Sequence, residues 1–515
     1  MNVNTESERA FQVKPNDTLV LASRQAELAA RLDPRWQPET LRPVLTGGNI
    51  HYELSARVHA VECGGLGVMQ QLVGTLGLRE AIDGQLALFK RHLPYHESDH
   101  VLNLTYNLLT GGTCLEDLEL RRRDLNYLDA VGARRIPDPT TAGDFLRRFS
   151  SVEQVEALME AINETRLRVW ARRSRRQKKV ALLDLDGTIA EVCGECKEGM
   201  DISYDGKWGY GPLVVSLANS REVLYVVNRP ASRPSHDGAP EWIDKAVAWT
   251  KRAGFAKARL RGDTDFSLTA HFDRWTEAGV EFVFGMDARE DFVRMAKERP
   301  AVAWKRLPRA ERPAVRRERP TNVKALVVQA RGFEHLRLGS EYVMEVRYRP
   351  RKCRRTYRLI VVVKHLDVTR GQEKLFDEVR FHFYVTNIPR REMSAAEVVW
   401  ENNARCEQEN LIEQLKNGVQ AMRMPVGNLV ANWSYMVIGA LAWNLKAWLG
   451  LMLPAGQSAT AIVRMEYRRF VRELIRLPCQ VFRSGRRLVY RLLTTTPWVR
   501  VLLESSWWLG RVRYG

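Results

Sequence analysis

The sequence predicts an α/β protein with a helical N-terminal region and a mostly β segment in its second half. Three patterns indicate this class. Apolar residues recur at helical spacing through residues 60–175. Between residues 180 and 290, apolar runs of strand length alternate with amphipathic helical runs. Residues 320–390 hold β-branched and aromatic runs with the two-residue alternation of strands.

Composition limits the class of protein further. With 515 residues and 45% hydrophobic content, the chain can form two or three domains with a sizeable core, which excludes wholesale disorder. A net charge of +19 predicts a polyanionic partner: DNA, RNA or an anionic membrane surface. Seven scattered cysteines exclude a disulfide framework and predict a reducing compartment. Cys193 and Cys196 lack the second ligand pair of a zinc site.

The most hydrophobic run covers residues 435–453 and is long enough to span a bilayer. Asn444 and Lys446 lie inside it, and both side chains are costly in lipid. The run therefore predicts a buried helix of a soluble protein. The first residues have no apolar core of the signal-peptide kind, so we expect a soluble, cytoplasmic protein with no membrane partner.

Changes in pattern and charge along the chain predict six segments. They are an N-terminal arm (1–60), a helical DNA-binding region (61–175), a first part of the core (176–290), a basic β insertion (291–393), a second part of the core with a late helix (394–460), and a basic C-terminal region (461–515). For the helical region, a plain helical bundle with a solvated Arg face is the alternative.

Within the core, each element follows from its own pattern. The run VALLDLDGTI, residues 180–189, predicts a strand that ends in two aspartates. Residues 211–219 and 222–230 predict a hairpin that turns at Ser220 and Arg221. The remaining predicted elements are a helix (241–254), a strand (256–263), a helix (269–279), a strand (280–287), and four strand-like runs in the insertion (322–330, 342–350, 356–366, 379–388).

Acidic residues stand at two of these strand ends. Asp184 and Asp186 point to the same face because side chains alternate along a strand, and Asp263 and Asp265 follow another strand. Neighbouring carboxylates repel one another unless a cation or a proton intervenes. Their oxygen atoms suit Mg²⁺ or Mn²⁺. The alternative is that these aspartates only form turns.

The late run ENNARCEQENLIEQLKNG, residues 401–418, predicts a helix. At about 100° per residue, Arg405, Glu409 and Lys416 fall within roughly 40° of one another on one face. Such a face can add a carboxylate to a metal site and grip phosphates with its cations. A solvated, salt-bridged face is the alternative, since Arg405 and Glu409 are an i,i+4 pair.

Besides a metal-dependent enzyme, two other classes of protein are consistent with these residues. An apolar strand followed by D-x-D-G-T resembles the first motif of haloacid dehalogenase-like phosphatases, with Asp184 as nucleophile. Their later acidic motif is missing, because Ser267 stands where a second acid belongs. A non-catalytic DNA-binding protein derived from a transposase is the third class.

The motifs together resemble those of DDE transposases of the insertion sequence 4 group, and within it the insertion sequence 1380 family. D-G-T after a strand, R-G-D-x-x-F after a second strand and R-x3-E-x6-K on a late helix carry the resemblance. It covers residues 60 to 455. It implies an RNase H-like catalytic core interrupted by a mostly β insertion, with a helical N-terminal DNA-binding region.

The resemblance also implies site residues. Asp186, Asp263 and Glu409 match the catalytic, metal-binding acids, with Asp184 and Asp265 as runners-up. The same group binds DNA near this helix through residues that correspond here to Arg405, Lys416 and Asn402, although Asn402 replaces a tyrosine.

The implied reaction is metal-dependent cleavage at terminal inverted repeats, followed by attack of the freed 3′-OH on target DNA. Two Mg²⁺ (or Mn²⁺) ions would serve it. The resemblance further implies a homodimer on DNA and a bacterial, nucleoid-associated location. His382, Phe383 and Tyr384 are candidates for stacking on a flipped base, with ordinary strand packing as the alternative.

Overall fold

The computed structural model describes residues 11–35, 50–53, 58–90, 94–308, 323–331, 334–370 and 373–512. Parts of the predicted N-terminal arm (1–10, 36–49 and 54–57), and part of the basic run 297–319, lie outside these residues. The chain forms two compact units. The first comprises residues 1–172, 196–198 and 414–515, and the second comprises residues 173–195 and 199–413.

The α-helices of the described residues are numbered in chain order. They are α1 (Pro15–Arg31), α2 (Leu66–Leu76), α3 (Leu78–Gln85), α4 (Glu97–Leu109), α5 (Asp117–Arg122), α6 (Leu125–Val131), α7 (Pro139–Arg147), α8 (Val152–Ala171), α9 (Ala239–Arg252), α10 (Phe272–Glu277), α11 (Glu290–Lys297), α12 (Val323–Ala330), α13 (Ala395–Asn403), α14 (Cys406–Glu413), α15 (Leu429–Met452), α16 (Gln457–Arg464), α17 (Tyr467–Phe470) and α18 (Val499–Leu509).

The strands are numbered in the same way. They are β1 (Ala60–Val61), β2 (Val180–Gly187), β3 (Ala190–Glu191), β4 (Asp201–Ile202), β5 (Trp208–Tyr210), β6 (Leu213–Leu217), β7 (Glu222–Val227), β8 (Lys257–Gly262), β9 (Val280–Met286), β10 (Lys305–Arg306), β11 (Glu334–Tyr348), β12 (Tyr357–Arg370), β13 (Glu373–Thr386), β14 (Cys479–Ser484) and β15 (Arg487–Leu492).

The first unit is mainly helical and has α15 at its centre. This helix is apolar on all sides and packs against α4, α7, α8 and α16, as expected of a core helix. Its one ammonium group, on Lys446, donates hydrogen bonds to the main-chain oxygens of Val463 (2.9 Å) and Met465 (2.7 Å). The prediction of a buried helix is therefore confirmed. By length and composition alone α15 could cross a membrane, but 94% of its apolar window is buried inside the protein.

The second unit is built on a nine-stranded mixed sheet with the order β10-β11-β12-β13-β9-β8-β2-β6-β7. At its centre β2, β8 and β9 are parallel, whereas β6 and β7 are antiparallel additions on one side. Helix α9 packs on β6, β7 and β8, and α14 packs on β2. The predicted core strands and the hairpin at Ser220 and Arg221 are confirmed, and Arg221 takes the left-handed turn conformation (φ 56°).

The predicted insertion adds strands to this same sheet. Strand β13 pairs antiparallel with β9, so β11, β12 and β13 extend the core sheet outward. One predicted strand is wrong: residues 323–330 form helix α12. Its Val323 is 66% exposed and Leu326 is 53% exposed, so these side chains are not packed as in a sheet. Lys, Ala, Leu and Gln in this run are good helix formers. The boundaries of the six predicted segments stay predictions.

Candidate active site

Asp184, the first aspartate of the D-L-D-G-T run, is part of a buried ion pair. Strand register places it beside Arg261 of β8, and Arg261 Nε and Nη2 donate to its two oxygens at 2.6 and 2.8 Å. Asp184 is 1% exposed and Arg261 is 4% exposed. Burial raises the pKa of Asp184, and the hydrogen bonds from Arg261 oppose that rise. Both oxygens are engaged, so Asp184 is unsuited to be the nucleophile of a phosphatase.

Asp186 and Asp263 lie at matching ends of two adjacent parallel strands. The register pairs Asp184 with Arg261, and the two site aspartates each come two residues later. Strand spacing of about 4.8 Å then brings their backbones close together. The sequence-predicted pair of acidic strand ends therefore meets at one edge of the sheet.

The R-G-D-x-x-F motif has a steric basis in this strand end. Asp263 begins a 3₁₀ turn, Thr264–Phe266, and its carboxylate accepts a hydrogen bond from the main-chain N–H of Asp265 at 3.1 Å. Phe266 folds back and is fully buried. A Cβ on Gly262 would lie 2.7 Å from the Cβ of Phe266, so only glycine allows this close approach. Gly262 and Phe266 thus fix the direction in which Asp263 leaves the strand.

The predicted continuous helix over residues 401–418 is wrong. Helix α13 ends at Asn403, α14 begins at Cys406, and a π-helical turn covers Gln414–Gly418. At the break, the N–H of Arg405 donates to the carbonyl of Asn402 (3.1 Å), a tight bond over three residues. A constant rotation of about 100° per residue does not run through such a break, so the predicted common face of Arg405, Glu409 and Lys416 does not follow.

Arg405 lies at the break between α13 and α14 and contacts the acidic end of strand β2. Its Nη1 lies 3.1 Å from Oδ2 of Asp186, and both side chains are 15% exposed. This contact replaces the i,i+4 pair between Arg405 and Glu409 that the sequence offered as an alternative. The cation therefore lies beside the acids rather than on a solvated helix face.

Gln408 positions the helix that carries Glu409. Its side chain is buried; Ser216 Oγ donates to its Oε1, and its Nε2 donates to the carbonyl of Val214 at 3.2 Å. These bonds hold α14 against β6, with Glu409 exposed on the next residue. Sequence reasoning missed both Gln408 and Arg261. Their local sequence gives no signal, because Gln408 lies in the polar run CEQEN and Arg261 in the basic and acidic run RLRGD.

The electrostatics join the three segments into one site. Burial raises the pKa of Asp186 to about 7; Arg405 opposes this rise, and the charges of Asp263 and Glu409 add to it. Burial also raises the pKa of Asp263, against the effect of Arg405. Asp263 and Glu409, 146 positions apart in the chain, therefore both act on the Asp186 carboxyl.

The donor chemistry of this site suits a hard divalent cation. Carboxylate oxygens are the ligands that Mg²⁺ and Mn²⁺ prefer, and mutual repulsion between acids is what a cation would relieve. As placed in the described part of the chain, no three His, Cys, Asp or Glu side chains form a ready metal-binding group. Arg405 supplies the positive charge beside Asp186 in this arrangement.

The remaining predicted residues lie elsewhere. Asp265 is exposed, which leaves Asp263 as the inward-facing acid of that turn. The side-chain oxygen of Asn402 is buried and has no hydrogen-bond partner among the described residues. Lys416 belongs to the first compact unit, so its grouping with the acids stays a prediction.

The proposed stacking aromatics lie on β13. Phe383 is 2% exposed and Tyr384 is 8% exposed, whereas His382 is half-buried. The Phe383 ring packs against Phe292, with 5.2 Å between the ring centroids. This is ordinary strand packing, the alternative to base stacking.

Comparison with known proteins identifies the family of the chain. No curated protein matches the chain. Among solved structures, the chain is similar to a piggyBac transposase in a synaptic complex with hairpin DNA, with 12% sequence identity, a TM-score of 0.33, and coverage of 80% of this chain and 81% of that one. The family model for the transposase DDE domain group 1 matches residues 59–512. This match spans most of the chain, which therefore belongs to the family of transposases with a DDE domain of group 1.

Proposed function

We propose that the protein is a DNA transposase that cleaves and joins DNA strands at the site formed by Asp186, Asp263 and Glu409. One observation carries the proposal. Asp186 and Asp263 end adjacent parallel strands, and Glu409 lies on helix α14, which packs on β2. The charges of Asp263 and Glu409 accordingly both raise the pKa of Asp186. Family membership supports the same reaction class.

The three acids would hold Mg²⁺ or Mn²⁺, with two ions as the resemblance implies. When bound, such ions activate an attacking oxygen and stabilise the charge on the leaving oxygen. Asp186 is suited to this role because it ends β2 beside the end of β8 that carries Asp263. A metal ion would compete with the proton of its carboxyl and, at Oδ2, with Arg405.

Arg405 would have a second role if the acids held a metal ion. Its guanidinium, which contacts Asp186 in this structure, has a planar fork that would match a scissile phosphate. Asp184 and Arg261 act indirectly. Their ion pair fixes the ends of β2 and β8, and so fixes the separation of Asp186 and Asp263.

The finer assignments belong to this proposal too. The mixed sheet, with its parallel centre and antiparallel side, supports an RNase H-like core. Membership in the insertion sequence 1380 family, an origin in a bacterial insertion sequence, and a homodimer on DNA are proposed from the motif resemblance. The substrates are the element's terminal inverted repeats and a target DNA, for which the net charge of +19 is suitable.

Strand cleavage tests the proposal. The full chain is incubated with Mg²⁺ and duplex DNA that carries the element's terminal inverted repeats, and the strands are resolved on a denaturing gel. We expect cleavage at the repeat ends by the wild type. Asp186→Ala, Asp263→Ala and Glu409→Ala should each lose at least about a hundredfold in rate, because each removes a group acting at the reacting centre.

DNA binding by the same variants provides the control. The variants should bind the duplex as the wild type does, because the site acids make no attractive contact with phosphates. If all three variants cleaved normally, the site assignment would be wrong. Wild-type binding without any cleavage would favour a non-catalytic DNA-binding protein.

A further inference from the structure

A polar cavity lies in the first compact unit, which is mainly helical. Its lining residues are distant in sequence from the site acids. Its volume is about 670 Å³, and it is lined by α3, α4, α6 and the loop at residues 133–137. The floor is apolar and aromatic, with Leu102 and Tyr127 among its residues. Three exposed arginines, Arg79, Arg134 and Arg135, line the same cavity.

The loop that carries two of these arginines is fixed at both ends. At its start, Gly132 ends α6 in the left-handed conformation (φ 69°). At its end, Asn103 Nδ2 of α4 donates to the carbonyl of Pro137 at 3.1 Å. The guanidinium carbon of Arg135 lies 5.6 Å from the ring centroid of Tyr95, which also lines the cavity. The loop therefore presents its cations in a preformed arrangement.

The charge of this cavity is not neutralised by the protein. In the described part of the chain, neither Arg79, Arg134 nor Arg135 forms a salt bridge with a carboxylate. The one lining carboxylate, Asp99, accepts a hydrogen bond from the main-chain N–H of His96 at 2.9 Å. Three cations thus face a single cavity with one acid that is already engaged.

We propose that this cavity binds a phosphate group of the DNA backbone through Arg79, Arg134 and Arg135. The assignment rests on the proposed function, because that function supplies DNA as the substrate. Guanidinium groups bind phosphate oxygens in pairs, and a preformed loop lowers the entropy lost on binding. The cavity then positions DNA in the helical unit without reading its sequence.

Salt-dependent DNA binding tests this site. The probe is a fluorescent 30-base-pair duplex of arbitrary sequence, titrated with the full chain at several potassium chloride concentrations. Each phosphate contact contributes about 0.9 to the slope of log K against log salt. Because the cavity would hold one phosphate, we expect Arg134→Gln/Arg135→Gln to reduce the steepness of this slope by up to about 0.9, and to lower the affinity at low salt by about tenfold. Arg79→Gln should reduce the steepness by no more than the same amount.

A matched double variant controls for net charge. Arg472 and Arg476 belong to the same unit and are paired with Glu473 (3.0 Å) and Glu62 (2.9 Å). Arg472→Gln/Arg476→Gln removes the same charge and should keep the wild-type slope. Circular dichroism melts verify that every variant is folded, which is expected because the cavity arginines are exposed.

The outcomes separate the phosphate site from the proposed function. If the wild type binds DNA and the cavity variants share its slope and affinity, the phosphate site is refuted and the proposed function stands. If the wild type fails to bind DNA, the proposed function fails with it. A third measurement adds inorganic phosphate to thermal melts. Stabilisation of the wild type alone, with unchanged DNA binding by the variants, would assign the cavity to free phosphate and overturn the DNA assignment.

Discussion

Replacing Asp184 by alanine removes one partner of the most deeply buried ion pair beside the site. Arg261 then loses two acceptors, at 2.6 and 2.8 Å, while its side chain is only 4% exposed. Removing one partner of a buried pair costs about 3–5 kcal/mol, because the other charge is left without compensation. We therefore expect Asp184→Ala to lower the free energy of unfolding strongly.

Glu401, the second partner of Arg261, decides where in that range the loss in free energy of unfolding falls. Glu401 Oε1 lies 3.6 Å from Arg261 Nη1, and the Glu401 carbonyl accepts from the same nitrogen at 3.3 Å. These contacts survive the substitution and retain part of the compensation. The expected loss is therefore at the low end, about 3 kcal/mol. Against a typical total of 5–15 kcal/mol, such a loss is large.

Urea unfolding in EDTA measures this loss without contribution from metal. Asp184→Ala should lower the urea midpoint by up to about 1 M, since slopes of about 1–3 kcal/mol per M hold for small proteins and rise with the surface exposed on unfolding. The double variant Asp184→Leu/Arg261→Met removes both charges and should recover most of the loss. A loss below about 1 kcal/mol for Asp184→Ala, or an equal loss in the double variant, would refute a structural ion pair.

Three further predictions concern the site and its supports. Burial raises the pKa of Asp186 to about 7 from an ordinary 3.8, so its carboxyl lowers the free energy of unfolding as the pH rises from about 4 to 7. In urea unfolding without metal, Asp186→Asn should therefore be more stable than the wild type at pH 8, by up to about 4 kcal/mol. At pH 3 the two proteins should be equally stable. Gly262→Ala forces a Cβ to 2.7 Å from Phe266 and should cost about 1–3 kcal/mol in the same assay, whereas Gly84→Ala, a helix position with open space, should not destabilise. Gln408→Ala should lower cleavage rates and cost about 1–2 kcal/mol, because it leaves buried partners unpaired; an unchanged rate would remove its positioning role.

Local patterns were sufficient to predict the elements that surround the site. The alternation in β2, the hairpin at Arg221 and the strand before Asp263 are each encoded by neighbouring residues, and the structure confirms them. Helix α12 was mispredicted because its valines suggested a strand, although the run also holds the helix formers Lys, Ala, Leu and Gln.

Contacts between residues distant in the sequence could not be predicted from local patterns. At the break between α13 and α14, Arg405 contacts Asp186, which lies 219 positions away in the chain. Gln408 likewise contacts residues of β6, which are distant in the sequence. Asp184 pairs with Arg261 of β8, and this contact removes Asp184 from the candidate site acids. The sequence motifs proposed these acids as a group, and their catalytic role stays a prediction. Only the tertiary contacts distinguish a buried, paired aspartate from one that faces the other acids.

Metal binding by one pair of neighbouring aspartates tests the central claim most directly. Asp263 faces the site and Asp265 is exposed two residues later, so the two substitutions are closely matched. Free Mn²⁺ is measured by electron paramagnetic resonance while the full chain is titrated at pH 8. Asp265→Asn should bind Mn²⁺ as the wild type does, and Asp263→Asn should weaken binding at least about tenfold. Equal binding by both variants, or loss in Asp265→Asn alone, would contradict a metal site built from Asp186, Asp263 and Glu409.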